Sequence, residues 1–252
     1  MRAMMFKSLL VVATCGFAAQ ASTVTINEIR IDQGGGDDSE YFELTGAPGE
    51  SLDGLYYIVT GDTGAGTSGA NGFGNGGIIE AAVDLTGLSI PSDGFFLATE
   101  SSFENGVGEV FEGITPDLVS SFSFENSDNV THLLVTDFTG AIGDDLDTNE
   151  DGVFDSTPFT SIVDAIGLLE TAQPPSASGE EFLFAGGVNI GPSGAFVPGH
   201  VFRVEDGSSP FAIGDFGVGV DDTPGISNAI PEPTSALLLA LGAMVLSRRR
   251  KV

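Results

Sequence analysis

Residues 22–32 read STVTINEIRID, with apolar Val24, Ile26, Ile29 and Ile31 interleaved with Thr23, Thr25, Asn27 and Arg30. This period-two alternation predicts a β-strand, with one slip at Asn27 and Glu28. The same reading predicts strands over 40–45, 55–60, 78–85, 94–99, 129–136, 161–168, 181–184 and 201–204. Between them lie a turn at 33–39 (QGGGDDS) and a long Gly-rich loop at 61–77. No amphipathic helix of ten residues or more is evident between 22 and 229, and no repeat of fixed period. Short strands joined by Gly, Asp and Pro loops predict an all-β sandwich.

The two ends have a different pattern. Arg2 and Lys7 precede an apolar run over 8–18, and Ala19-Gln20-Ala21 is a small-x-small site. That order predicts a secretory signal peptide over 1–21, with a signal helix, cut after Ala21 by signal peptidase. A lipoprotein reading through Cys15 is weaker, because Thr14 is large for that site and the apolar run continues beyond it. At the other end Pro231, Glu232 and Pro233 precede an apolar stretch over 234–246. As a helix this stretch spans about 20 Å, short of a bilayer core of about 30 Å. Arg248, Arg249, Arg250 and Lys251 come after it. Such a cluster stays cytoplasmic and halts export, which favours a short transmembrane helix in the inner membrane over a buried one. Pro231 and Pro233 keep the preceding chain extended and open to a processing enzyme. The chain thus divides into three parts: 1–21, the β domain 22–229, and the tail 230–252.

Charge sharpens this picture. Of 36 acidic residues only Glu232 lies in the tail, and of eight basic residues only Arg30 and Arg203 lie in the middle. A domain with 35 carboxylates and two guanidiniums repels phosphate backbones, which argues against nucleic acid as a partner, and attracts cations. Disorder is the other outcome of high charge, but 41% hydrophobic residues and 19 Phe argue for a packed core. The single Cys, Cys15, falls in the signal segment, so the exported part has no disulfide and must find stability elsewhere. Bound cations can supply it by linkage.

Pro231-Glu232-Pro233, the short apolar helix and the arginine cluster, in that order, resemble the PEP-CTERM sorting signal of Gram-negative bacteria. The resemblance implies recognition by a membrane-embedded exosortase, cleavage near the motif, and release or transfer to the cell surface, with exopolysaccharide as a partner there. A second resemblance covers 24–228. Ile26-Asn27-Glu28-Ile29, then Glu40-Tyr41-Phe42-Glu43-Leu44, then Leu52-Asp53-Gly54-Leu55 resemble the opening of a lamin-tail-domain-like module. Residues 88–99 (LSIPSDGFFLAT) and 221–228 (DDTPGISN) fit its middle and its close. Leu55 stands where that pattern usually has Trp. The resemblance implies an immunoglobulin-like β-sandwich and no particular activity.

The best candidate for chemistry is 145–155, DLDTNEDGVFD. Asp147, Asn149 and Asp151 fall at positions 1, 3 and 5 of a calcium loop, Gly152 at 6, Val153 with its carbonyl at 7, and Asp155 at 9. Position 12 is Pro158 rather than Glu, so Asp144, Asp145, Asp164 or water must complete the shell. The plainer alternative is a solvated acidic turn. Gly64 to Gly69 formally fits G-x-G-x-x-G, but the ANGFGNGG after it cannot start the helix a dinucleotide needs. His132 and His200 are the two histidines, too few for zinc without cysteine, and no G-x-S-x-G elbow is present. Glu28, Glu40 and Glu43 predict a polar strand face or a second cation site. Asn129-Val130-Thr131 is a sequon without weight on a bacterial export route. The expectation is a non-catalytic structural or adhesive surface protein stiffened by Ca²⁺. A polysaccharide hydrolase and a carbohydrate-binding module are the alternatives. The first needs two carboxylates set across a pocket. The second needs exposed aromatics, for which no Trp and three Tyr are a poor supply.

Overall fold

In a computed structural model, two sheets pack face to face. The structure describes residues 23–36, 38–61, 76–172, 182–184, 186–208 and 210–228. Among these there are eleven strands and no helix. They are β1 (Thr25–Arg30), β2 (Tyr41–Thr45), β3 (Leu55–Gly61), β4 (Ile78–Asp84), β5 (Phe95–Glu100), β6 (Leu118–Ser120), β7 (Val130–Thr136), β8 (Ser161–Leu168), β9 (Val188–Ile190), β10 (His200–Arg203) and β11 (Phe211–Ile213). The first sheet runs β11-β10-β1-β2-β5-β6 and the second β4-β3-β7-β8-β9. Neighbours are antiparallel except β5 with β6 and β8 with β9, which are parallel.

The long strands lie where the alternation places them. The slip at Asn27 and Glu28 is a register shift in the β1–β2 pairing, between Ile26 and Glu28. One expected strand is absent. Residues 182–184 are irregular, and Glu181 lies outside the described residues. Phe184 is buried as a plug: its ring stacks on Phe154 at 4.5 Å, and its N–H donates to the Thr131 hydroxyl at 3.2 Å. Its apolar character reflects that packing, not a ladder. The alternation does not reveal β6, β9 and β11, because three residues are too few for a period to show.

The core lies between the sheets. Ile26, Ile29, Phe42, Leu44, Phe96, Ala98 and Val201 of the first sheet meet Tyr57, Val59, Ala81, Val83, Leu134, Ile166 and Leu168 of the second. The rings of Phe42 and Tyr57 stack across the gap at 3.7 Å, nearly parallel. Each ring of this kind, fully buried, contributes roughly 1.5–3 kcal/mol. The outer faces are covered too. Tyr41 and Leu97 lie under Phe103 and Phe111 of the 101–117 loop, and Ile58, Ile79, Leu133 and Val135 lie under Phe138 and Leu146. Burial on both faces explains why β2, β5 and β7 are buried along nearly their whole length.

A charged contact joins the sheets. β10 pairs with β1 only as far as Glu28, so Ile26 presents its N–H and C=O beyond the ladder. Asp164 on β8 accepts the N–H at 2.9 Å, and Arg203 on β10 donates to the C=O at 2.7 Å. Arg203 and Asp164 close the triangle at 2.8 Å.

His132 on β7 is fully buried. Its Nδ1 lies 2.8 Å from the Tyr57 hydroxyl, and its Nε2 has no partner. Burial pulls its pKa down to about 3. The unfolded chain takes up this proton near pH 6.5 and the folded chain only near 3, so His132 costs stability progressively as pH falls between those values. Urea unfolding of wild type and His132→Gln should show wild type losing ground by about 1.4 kcal/mol per pH unit between pH 6 and 4. A pH-independent difference would refute this.

Candidate functional site

Residues 214–228 leave β11 and lie against the outer side of the first sheet, where a buried polar network receives them. β1 supplies Glu28 and Arg30, β2 Tyr41, and β10 His200. All four side chains are buried. Arg30 grips Asp222 through Nε and through Nη2 at 2.7 Å, and donates to the carbonyls of Asp32 and Asp215 at 3.0 and 3.1 Å. Glu28 accepts from the Tyr41 hydroxyl, lies 2.9 Å from His200 Nε2, and takes the Thr223 N–H at 2.9 Å. His200 Nδ1 lies 3.1 Å from Asp221.

Glu28, His200 and Asp222 bring one potential ligand atom each within 4.8 Å of one another. They are the one such group of His, Asp and Glu found among the described residues. A guanidinium already fills the cationic place. Burial pushes the Asp222 carboxyl up, but the Arg30 hydrogen bond, the nearby His200 and the Arg30 charge together hold it below its ordinary range. Burial and the Glu28 and Asp222 charges push the Tyr41 phenol far up, so it stays a donor. The network is an internal ion cluster that fixes the 214–228 segment.

A second set continues it. Asn27 Nδ2 and the Gly225 N–H donate to Glu43 at 2.8 and 2.7 Å. The Asn228 N–H donates to Asp206 at 2.9 Å and its Nδ2 to the Arg203 carbonyl at 2.7 Å. Burial, then the Glu28 charge, raises the Glu43 carboxyl. Glu28 and Glu43 thus share the polar face foreseen for them. Glu40 lies apart from it, with its carboxylate accepting the Phe124 N–H at 2.8 Å.

The 145–155 loop covers the second sheet. Leu146, fully buried, anchors it: its N–H donates to the Gly77 carbonyl at 3.0 Å, and its carbonyl accepts from the Asp155 N–H at 2.7 Å. Asp147 is buried and accepts the N–H groups of Asp151 at 3.2 Å and Gly152 at 2.8 Å. Gly152 has φ +83°, and a Cβ there would lie 2.5 Å from the Phe182 ring, so the turn requires glycine. Asp155 accepts from the Thr148 hydroxyl at 2.7 Å and from Asn149 Nδ2 at 3.1 Å. The Asp151 carboxylate accepts the Val153 N–H at 3.0 Å, and the Val153 side chain is exposed. Asp147, Asp151 and Gly152 are therefore brought together, and Asn149 and Asp155 bond to each other.

Sequence reasoning missed Glu150, which sits between two expected ligands. Its φ is +56°, it is buried, and it accepts the Gly76 N–H at 3.1 Å. Burial, then the Asp145 and Asp147 charges, raises its pKa to about 7. Asp147 is raised by burial, with Asp151 and Asp155 adding to it. The signal available was the local density of carboxylates, which did not say which one turns inward.

The expected features at both ends (the cleavage site at Ala19 and Ala21, the sorting residues Pro231, Glu232 and Pro233, the apolar stretch 234–246) and the 64–69 glycines lie outside the described residues. Among those described, no helix is long and apolar enough to cross a membrane. Asn228, the last described residue, is buried and bonded on three sides. The chain beyond Asn228 decides the destination. Residues 229–251 match the PEP-CTERM protein-sorting motif. The PEP-CTERM tail makes this an exported, exosortase-targeted protein, processed at a membrane on its way to the cell surface. No curated protein and no solved structure matches the chain.

Asp222→Ala would strand a buried guanidinium. Removing one partner of such a pair typically costs about 3–5 kcal/mol, and urea unfolding should show a loss of that order. A change below about 1 kcal/mol would mean that Arg30 finds another partner or reaches water.

Proposed function

We propose that this is a non-catalytic structural or adhesive protein of the Gram-negative cell surface or extracellular matrix, delivered there by signal peptidase and exosortase. The PEP-CTERM tail carries the reading. In it, residues 1–21 are the signal peptide, 22–229 an immunoglobulin-like, lamin-tail-like sandwich, and 234–246 the transient inner-membrane anchor. Exopolysaccharide is the matrix partner that fits such a destination. The ion cluster around Arg30 supports a structural role, since its carboxylates are engaged in holding the fold. Deleting Pro231 to Pro233 should leave an unprocessed, larger species at the inner membrane, read by immunoblot of cell fractions. Unchanged size and surface delivery would remove the sorting half of the proposal.

The 145–155 loop is proposed to bind Ca²⁺ through Asp147, Asn149, Asp151, the Val153 carbonyl and Asp155. Two observations support the fit. Gly152 makes the left-handed turn that such a loop needs at its sixth position. Buried Asp147 and Glu150 are crowded by other carboxylates, and both described arginines are engaged elsewhere. A divalent ion would neutralise that crowding and tie the loop to the second sheet. At a Ca²⁺ concentration about 100 times Kd, binding stabilises by about 2.7 kcal/mol. Melting with Ca²⁺ and with chelator should differ accordingly for wild type, and the difference should vanish in Asp147→Ala plus Asp151→Ala. An equal response in that variant would place the ion elsewhere.

A further inference from the structure

The 214–228 segment ties its carboxylates to its own backbone and leaves its apolar side chains outside. Asp215 accepts the Gly217 N–H at 2.7 Å, and Asp221 the Asp215 N–H at 2.9 Å. Asp222 accepts the Gly219 N–H at 2.7 Å besides the Arg30 guanidinium. Phe216, Val220 and Ile226 are 51%, 66% and 57% exposed. They do not stand alone. Phe216 shares a cavity of about 380 Å³ with Phe196 and Ile213, both exposed, and a second of about 300 Å³ with exposed Val110. Val220 lies against Gly217, and Val110 against Gly219. The result is a continuous apolar stripe from Phe196 to Val220, which marks a contact surface in a way that scattered exposure does not. The stripe adjoins the exit of the chain. Arg30 bonds both Asp215 and Asp222, Thr223 bonds Asn228, and the sorting tail begins at the next residue.

We infer that this stripe seats on the surface of a zwitterionic lipid bilayer for as long as the tail is in the membrane. The inference rests on the reading of 234–246 as the anchor. Five residues, 229–233, separate Asn228 from Thr234, and fully extended that step spans about 20 Å. Asn228 is itself tied to the domain through Thr223, Asp206 and the Arg203 carbonyl, so the tether does not lengthen by peeling away. The anchored domain therefore stays at the membrane surface, with the apolar groups beside the exit held at a high effective concentration of lipid. The anchor also gains from a second contact. A helix over 234–246 spans about 20 Å against a core of about 30 Å. Two weak attachments together hold a protein that neither holds firmly alone. Charge selects the occupant. A second copy would press another 35 carboxylates against the first set, and an anionic lipid surface is disfavoured for the same reason, whereas a zwitterionic one is not.

The chain has no Trp, so a single introduced indole reports its own surroundings. Phe216→Trp in the exported chain with its tail, reconstituted into phosphatidylcholine vesicles, should shift its emission to the blue and lose it to lipids brominated on the acyl chain. Ile162→Trp, at an exposed position of β8 on the second sheet, should stay open to aqueous iodide and be spared by those lipids. Val220→Trp repeats the test should Phe216→Trp disturb folding, which circular dichroism reports. Flotation with the vesicles while the indoles of Phe216→Trp and Val220→Trp stay in water would overturn the inference and leave the anchor reading intact. Failure to float would overturn both. Equal quenching by lipid at Ile162→Trp, or a blue shift only in phosphatidylglycerol vesicles, would also overturn it. A blue shift without vesicles that grows with protein concentration would overturn it in favour of a second copy.

Discussion

Arg30 and Arg203 are the two basic side chains between residues 22 and 229, and both lie inside the protein. In a domain so rich in carboxylates, an exposed arginine would find an acidic neighbour almost anywhere on the surface, for little gain in stability. Buried, each can be satisfied in only one arrangement. Arg203 needs the Ile26 carbonyl, the Ser208 carbonyl and Asp164 together, and that combination exists only when the two sheets are in register. Arg30 needs Asp222 and two carbonyls, and that combination exists only when the 214–228 segment lies against β1. One guanidinium positions sheet on sheet and the other positions the end of the domain.

This use of charge has a consequence for the surface. With both arginines engaged inside, the carboxylates of the covering loops have no described basic partner nearby, and burial, with repulsion from neighbouring carboxylates added to it, raises Glu150 and Asp147. The loops themselves are needed, since they close the apolar outer faces over Ile58, Leu133, Tyr41 and Leu97. A loop that must stay down while its own charges push it apart is where an external cation contributes most. Cysteine is no alternative, because the only one falls in residues 1–21.

Legibility in the chain depended on distance along it. The long strands announced themselves by alternation, and the bulge at Asn27 and Glu28 by its break. The tail was legible because a sorting signal is linear: its proline motif, apolar stretch and arginines act in order along the chain. The network was not legible, because Glu28 and Thr223 are 195 positions apart and meet only after β10 has paired with β1. Glu28 and Glu43 were noticed as acids on a strand, yet nothing local marked Arg30, Tyr41 and His200 as their partners. The misplaced strand at 181–184 fails for the same reason: Phe184 is apolar to fill a gap beside Phe154, and a plug carries no period.

Buried ion pairs are weak arguments for stability, because an apolar replacement can be as good or better. Here the composition of the 214–228 segment supplies the reason to keep them. Phe216, Val220 and Ile226 are exposed, and Pro224 and Asn228 are its buried residues. Beyond Pro224 and Val218, which packs half-buried beside Tyr41 and Phe103, the segment has little apolar surface with which to hold itself to the sheet. Hydrogen bonds from Thr223, Gly225 and Asn228, and the grip of Arg30 on Asp222, hold it there instead. Apolar packing could slide by a residue at modest cost, whereas these donors and acceptors match at one register only. The last described residue before the PEP-CTERM tail is therefore held at a defined point on the domain, by charge and hydrogen bonding rather than by burial of hydrocarbon.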